Sequence, residues 1–306
     1  MTTELYKKHR PKLFKHIIGQ AAAVEALNVM ISKDKVPHTL LFAGPSGCGK
    51  TSLARIMQGK LGCGDTDFTE LNAADSRGVD TIRDIRQRMH LAPMNGKCRV
   101  WLIDECHQLT KDAQTAFLKM LEDTPSHVYF MLATTEPNKL LPTILSRCTV
   151  VRVAALSAKA MTELVLSVCK REQQTLGSTV LEQLVEVADG SPRRALVLLH
   201  QVIEMEDEDE QLNILQSADA KRQAIEIART LMRPNATWKD LVPILKAVDE
   251  EPETIRRMVL GYANSVMLSA GGKVVPRAYL IVTAFRDHFY DCGKAGLAAA
   301  CYEVLQ

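Results

Sequence analysis

The sequence predicts an α/β module with a parallel sheet, followed by all-α domains. Three observations predict it. Five short apolar runs alternate with helical patterns over residues 1–155. A glycine-rich stretch, "GPSGCGKT", stands between the first run and an apolar helix. After residue 155 the strand signals stop.

The five runs are "HTLLFAG" (38–44), "FTELNAA" (68–74), "CRVWLIDE" (98–105), "HVYFMLATT" (127–135) and "TVVRV" (149–153). Runs this continuously apolar belong to strands covered on both faces, and helices between them give repeated βαβ units. Beyond 155, "SAKAMTELVLSVCKREQQT", "VLEQLVEVADG" and "SPRRALVLLHQVIEM" read as three helices of a small bundle. Six of the seven positions Glu204 to Glu210 are acids, read as a solvated helix end or linker. From about 219 the pattern is helical again, punctuated by Pro234, Pro243, Pro252 and Gly271-Gly272.

Composition narrows the class. The chain has 306 residues, 46% hydrophobic and 24% charged, which is ordinary for a soluble globular protein of two or three domains. No apolar run spans a bilayer, and "MTTELYKKHRPK" has no signal-peptide core, so a cytoplasmic protein is expected. None of the eight cysteines forms a C-x-x-C pair, which argues against a zinc cage or a disulfide framework. Residues 1–155 carry 21 Lys/Arg against 15 Asp/Glu, net +6, and the rest carry 17 against 21, net −4. The basic front half suits a polyanionic partner.

Gly44 to Thr51 fits G-x-x-x-x-G-K-[ST] in the strand-to-helix context that the pattern requires. Backbone N–H groups of Gly44, Pro45, Ser46, Gly47, Cys48 and Gly49 (proline excepted) can curl around phosphates, with the helix N-terminus at Lys50, Thr51 and Ser52 behind them. Lys50 can neutralise β- and γ-phosphates, and the Thr51 hydroxyl can ligate Mg²⁺. "VWLIDE" ends in Asp104 and Glu105, and two adjacent carboxylates at the end of an apolar strand need a task. Asp104 can hold Mg²⁺ through water, and Glu105 can polarise an attacking water. "LATTEPNKL" offers Thr135, and after it Thr134, as hydroxyls that orient that water.

Arg147, in "LLPTILSRCTVV", lies in a stretch otherwise built for burial. With the usual strand order it is expected at the far edge of the sheet from the phosphate loop, aimed at a neighbour's nucleotide. It would then be an arginine finger supplied in trans, and the protein an oligomer. A surface arginine paired with a local carboxylate is the plain alternative.

Taken together, "YKKHRPKLFKHIIGQ" (6–20), "GPSGCGKTSLARI" (44–56), "LNAADSRGVDTIRDI" (71–85), "VWLIDECHQLTKDAQTAFLKMLED" (100–123), "HVYFMLATTEPNKLLPTILSRC" (127–148) and "GSPRRAL" (190–196) resemble the clamp-loader ATPases of the AAA+ family. Bacterial gamma/tau subunits and the small subunits of replication factor C are similar. The resemblance is dense over roughly the first 200 residues. It implies a RecA-like AAA+ module at 1–155, a helical lid at 156–213 and a helical collar for oligomerisation at 219–306. It implies that Tyr6, Arg10, Pro11, Ile18, Gly19 and Gln20 pack on adenine and ribose, and that Arg193 of the lid touches the γ-phosphate, with Arg194 beside it. "SRGVDTIRDIRQRM" looks like the helix that faces DNA, with Val79, Ile82, Ile85 and Met89 as a buried stripe. Arg77, Arg83, Arg86 and Lys111 are the phosphate-backbone candidates. Leu91, Pro93 and Met94 are either a docking surface for a sliding clamp or core.

The expectation is therefore an ATP- and Mg²⁺-dependent subunit of a five-membered loader that opens a sliding clamp and places it on primer–template DNA, with no membrane partner. Another AAA+ DNA motor, such as a branch-migration helicase, and a non-hydrolysing scaffold subunit are the alternatives. One departure stands out: gamma/tau proteins carry a four-cysteine zinc module after the phosphate loop, where this chain has only Cys63. A compact loader ATPase without zinc, viral rather than cellular, fits that departure better.

Overall fold

The computed structural model describes residues 4–248, 250–269 and 275–306. Its compact units are residues 1–206 and 207–306.

The first unit is built on five parallel strands, β1 (Thr39–Ala43), β2 (Phe68–Asn72), β3 (Arg99–Asp104), β4 (Val128–Thr134) and β5 (Thr149–Arg152), in the order β2-β3-β4-β1-β5. Each arises from one of the apolar runs. Side chains alternate between faces: Leu40, Phe42, Val100, Leu102 and Met131 enter one core, shared with α2 (Ala21–Ser32) and α3 (Lys50–Lys60). Leu41, Trp101, Ile103, Phe130 and Leu132 enter the other, shared with α4 (Val79–Met89) and α5 (Lys111–Glu122). Burial on both faces explains why the runs of the inner strands β1, β3 and β4 show little polar alternation, whereas the edge strand β2 is partly exposed.

A short helix, α1 (Leu5–Lys8), precedes the sheet, and α6 (Pro142–Leu145) leads into β5. The three helices expected after residue 155 are α7 (Ala158–Glu172), α8 (Ser178–Ala188) and α9 (Pro192–Val202). Ser157 and Ser191 cap α7 and α9, accepting from the N–H groups of Ala160 and Arg194. The helices meet on Met161, Val165, Val180, Leu184, Ala195 and Leu199, all essentially inaccessible.

The second unit is helical throughout its described residues: α10 (Glu208–Met232), α11 (Trp238–Lys246), α12 (Pro252–Ser269), α13 (Val275–Ala284) and α14 (Gly293–Leu305). The acidic run supplies a helix start. Asp207 caps α10, accepting from the N–H groups of Asp209 and Glu210, and the following acids face the positive end of the helix dipole. α10 runs unbroken through residues 213 to 219, where the sequence suggested an inter-domain stretch. Pro252 opens a helix. Pro243, expected to punctuate, lies inside α11. An internal proline costs a helix about 3 kcal/mol, and here the start of the helix is tied down instead. The Asp240 carboxylate accepts from both the N–H and the hydroxyl of Thr237 at 2.8 Å. Gly271-Gly272 lie outside the described residues.

Candidate functional site

β1 is wholly buried and delivers the loop 44–49 to the start of α3. At Gly44 an added Cβ would lie 1.9 Å from the carbonyl oxygen of Val153, so only glycine lets β5 approach. Gly47 has φ 75°, and an added Cβ there would lie 2.4 Å from Ser191 Oγ. Gly49 caps α3. Lys50 Nζ donates to the carbonyls of Gly44 and Pro45, each at 2.9 Å, which holds the ammonium at the centre of the loop. Burial draws Lys50 below its ordinary pKa, against the pull of Glu105 and Asp104.

The adjacent strand ends bring the acids in. Thr51 Oγ1 donates to Asp104 Oδ2 at 2.9 Å, and Asp104 Oδ1 accepts from the Glu105 N–H at 2.9 Å. Two hard oxygen donors side by side suit a small divalent cation. Glu105 sits in the left-handed region, φ 48° and ψ 41°, which costs a non-glycine residue about 1–3 kcal/mol. That turn directs its carboxylate toward the end of β4, where Thr135 Oγ1 donates to Glu105 Oε2 at 3.4 Å. Thr134 is fully buried, and its Oγ1 accepts from the Glu136 N–H at 3.0 Å.

The N-terminal segment and the helices after the sheet close the other side. Tyr6, Arg10, Pro11, Ile18 and Gln20 line a cavity of about 480 Å³, together with Ser46 to Ser52, Asp104, Glu105 and Arg193. Gln20 is committed elsewhere: its amide donates to the Ala154 carbonyl at 2.6 Å and accepts from the Ala154 N–H at 3.1 Å, so it fixes the segment to the exit of β5. Burial, and then the neighbouring Arg55 and Arg193, push Arg10 downward. The Arg193 guanidinium lies 5.8 Å from the centre of the Tyr6 ring. The backbone N–H of Arg193 donates to the Gly47 carbonyl at 3.3 Å, and Ser191 Oγ donates to the Ser46 carbonyl at 3.3 Å. The start of α9 therefore touches the phosphate loop directly.

Arg147 is elsewhere. β5, which it precedes, is an edge strand but lies beside β1, not across the sheet from it. The separation from the phosphate loop runs along the strands: Thr149 is level with Leu40, four positions before Gly44, or about 13 Å. Arg147 donates to the Thr143 carbonyl at 3.1 Å and pairs with Glu122. Its approach is fixed by the buried Gln114 of α5, which donates to the Leu109 carbonyl at 3.1 Å and accepts from the Leu141 N–H at 2.9 Å.

A further surface lies on α4 and α5. Ile82, Ile85 and Met89 are buried, Val79 is half-buried, and Arg77, Arg83, Arg86 and Lys111 are exposed. Arg83 and Arg86 line a groove of about 300 Å³ with Asp112 and Lys119. Arg83 pairs with Asp80 at 2.8 Å, both well exposed. The Thr110 N–H donates to the Arg77 carbonyl at 3.1 Å, which places Arg77 beside the start of α5 and Lys111. Leu91 and Met94 are 57% and 75% exposed, so they are not core. Their loop is held by Asp67, whose carboxylate accepts from the N–H groups of Met94 and Asn95 and from Arg99. Burial opposes ionisation of Asp67, but these donors prevail and its pKa is lowered.

Sequence reasoning passed over Asp67, Gln114 and His107. His107 is buried between the ends of β3 and β4, and its only signal was a histidine two residues past the acid pair. Among the described residues no cluster of three or more His, Cys, Asp or Glu side chains is placed to hold a metal ion by itself, and no helix is long and apolar enough to cross a membrane.

Residues 65–157 match the family model "DNA polymerase III, delta subunit". The chain is 35% identical over 222 residues to the DNA polymerase III subunit gamma/tau of Mycobacterium tuberculosis, covering 65% of this chain and 38% of that one. It is 36% identical over 220 residues to the tau subunits of Bacillus subtilis and Escherichia coli, covering 39% and 34% of those proteins. The chain thus spans under two fifths of the length of these relatives. Among solved structures, the RuvB Holliday junction branch migration motor of Thermotoga maritima superposes with a TM-score of 0.59 at 20% identity, over 90% of this chain and 91% of that one.

Proposed function

With the AAA+ fold and the likeness to DNA polymerase III gamma/tau subunits as premises, we propose that this chain is an ATP-hydrolysing subunit of a sliding-clamp loader acting on primer–template DNA. The observation that carries the reading is the convergence of Lys50, Thr51, Asp104, Glu105, Thr135 and Arg193 on one phosphate-loop site while Arg147 faces outward from it.

The residues fit ATP with Mg²⁺. A loop of backbone donors and a buried lysine suit a triphosphate, and the Thr51–Asp104 oxygen pair suits the cation. Magnesium would neutralise charge between the β- and γ-phosphates. Lys50 moves from loop carbonyls to phosphate oxygens, and Tyr6, Arg10 and Ile18 hold the base and sugar. Glu105 takes a proton from the attacking water, oriented with Thr135. Arg193 reads the γ-phosphate and reports it to the lid, because the same residue is bonded to Gly47. A second subunit supplies Arg147. Arg77, Arg83, Arg86 and Lys111 follow the DNA backbone without reading sequence. Leu91 and Met94 offer the clamp an apolar contact.

A branch-migration motor is the second reading, because the RuvB motor shares the fold. That likeness carries the fold alone. The second unit contains no strand among its described residues, as a helical collar would and a winged-helix domain would not. The deciding experiment measures ATP turnover of the assembled protein with and without primed DNA and a sliding clamp. A rise that needs both supports loading. Stimulation by four-way junctions alone, or turnover indifferent to the clamp, overturns it.

A further inference from the structure

The Glu105 carboxylate has a second neighbour besides Thr135. His107 lies two residues on, after the left-handed turn at Glu105, with its side chain 4% exposed. Its Nδ1 is 3.0 Å from Thr134 Oγ1 and 3.3 Å from Glu105 Oε2. Its Nε2 is 3.0 Å from Gln108 Nε2. These partners select one tautomer. With the proton on Nδ1, the ring donates toward Thr134 and Glu105, and the bare Nε2 accepts from the Gln108 amide. Glu136 Oε1, 3.4 Å from Nε2, is engaged by Lys139 at 2.9 Å. The imidazole thus bridges the residue after β3 to the last residue of β4.

We propose that His107 is a positioning residue: anchored on Thr134, its Nδ1 edge and the Thr135 hydroxyl together fix the Glu105 carboxylate where it can take a proton from water held by the γ-phosphate. The inference rests on the reading of Glu105 as the general base. A carboxylate in a strained backbone conformation, one-third exposed, has alternative rotamers toward solvent. The Thr135 hydroxyl at 3.4 Å and His107 Nδ1 at 3.3 Å meet the same oxygen, Oε2, and restrict that freedom, and neither residue lines the nucleotide cavity. His107 therefore acts on turnover and not on nucleotide affinity.

The test uses the complete assembly with its DNA and clamp. His107→Ala is expected to lower kcat by about 10- to 100-fold, the usual effect of losing an orienting partner, with KM for ATP near wild type. His107→Asn, whose amide returns a donor near the Nδ1 position, is expected to recover much of that loss. Unchanged kcat in His107→Ala, or a rise in KM in place of a fall in kcat, overturns the proposal. Failure of His107→Asn to exceed His107→Ala overturns it as well. A second measurement is independent of turnover. In ¹⁵N-histidine spectra the Nδ1 resonance of His107 is expected to shift between wild type and Glu105→Gln, and an identical resonance overturns the contact. Absence of ATPase activity in the wild-type assembly would defeat the functional reading, and the spectra would still decide the role of His107.

Discussion

Arg147 and Glu122 form an ion pair at the surface, joining the residues after α6 to the last residue of α5, with the two side chains 37% and 51% exposed. An exposed pair of this kind is worth about 0.2–1 kcal/mol. The guanidinium is therefore held ready, and little is lost when it leaves Glu122 for a more strongly charged partner. Arg147→Ala is expected to change the stability of the isolated chain by less than about 1 kcal/mol and to leave its nucleotide affinity unchanged. Turnover of the assembly should fall about 10³-fold or more. Urea denaturation, nucleotide titration and steady-state ATPase assays separate the three effects.

Gly47 couples the phosphate loop to α9 through a contact that leaves no room for a side chain. Gly47→Ala places a Cβ against Ser191 Oγ at a positive φ, and should destabilise the first unit by about 1–3 kcal/mol and weaken nucleotide binding. Adding Ser191→Gly should restore part of the affinity, because it removes the shortest contact and leaves the Arg193 Cβ at 3.0 Å and the backbone strain. Titration with a fluorescent ATP analogue across the three variants checks this.

Arg83 and Arg86 share the exposed face of α4. Replacing each by alanine should weaken binding to primed DNA equally for all sequences, and should reduce the slope of log affinity against log salt by about 1 per residue. A variant whose loss depends on base sequence would contradict backbone tracking.

Glu253 of α12 is almost inaccessible and organises the helix ends around it. It pairs with Arg256 at 2.6 Å and Arg257 at 3.1 Å, and accepts from the Phe289 N–H at 2.9 Å. The Arg256 bond is the main cause that lowers its pKa from the ordinary 4.5 to about 2, burial acting in opposition. A lowered folded value means that the ionised carboxylate contributes fully above pH 4.5, and that the contribution is lost as pH falls toward 2. The second unit should therefore weaken between these values, and a Glu253→Gln chain, weaker at neutral pH, should show a flatter profile there. Trp238 belongs to this unit and Trp101 to the first. Denaturation followed by Trp238 fluorescence in a Trp101→Phe background isolates the effect.

The sheet was legible in the sequence because its inner strands β1, β3 and β4 are buried on both faces and read as nearly unbroken apolar runs. The phosphate loop and the Asp104–Glu105 pair were legible because spacing and strand context coincide there. His107 was not, because its role depends on a backbone turn at Glu105 that no residue preference announces. Gln20 lines the cavity where the sequence placed it, but its two amide bonds to Ala154, a partner 134 residues away, are not revealed by periodicity. Pro243 reads as a breaker on local grounds, and the helix persists around it through the Thr237–Asp240 bonds and the burial of Leu241.

The pairing of β1 with β5 gives the proposed assembly a polarity. One strand opens at its carboxyl end onto the chain's own phosphate loop, and its neighbour begins, at the opposite end, from the arginine offered outward. In the proposed assembly the donor and recipient surfaces would be different surfaces of one chain, so subunits would join head to tail. A closed ring would finish every pocket, whereas an open spiral would leave one terminal recipient without a donor.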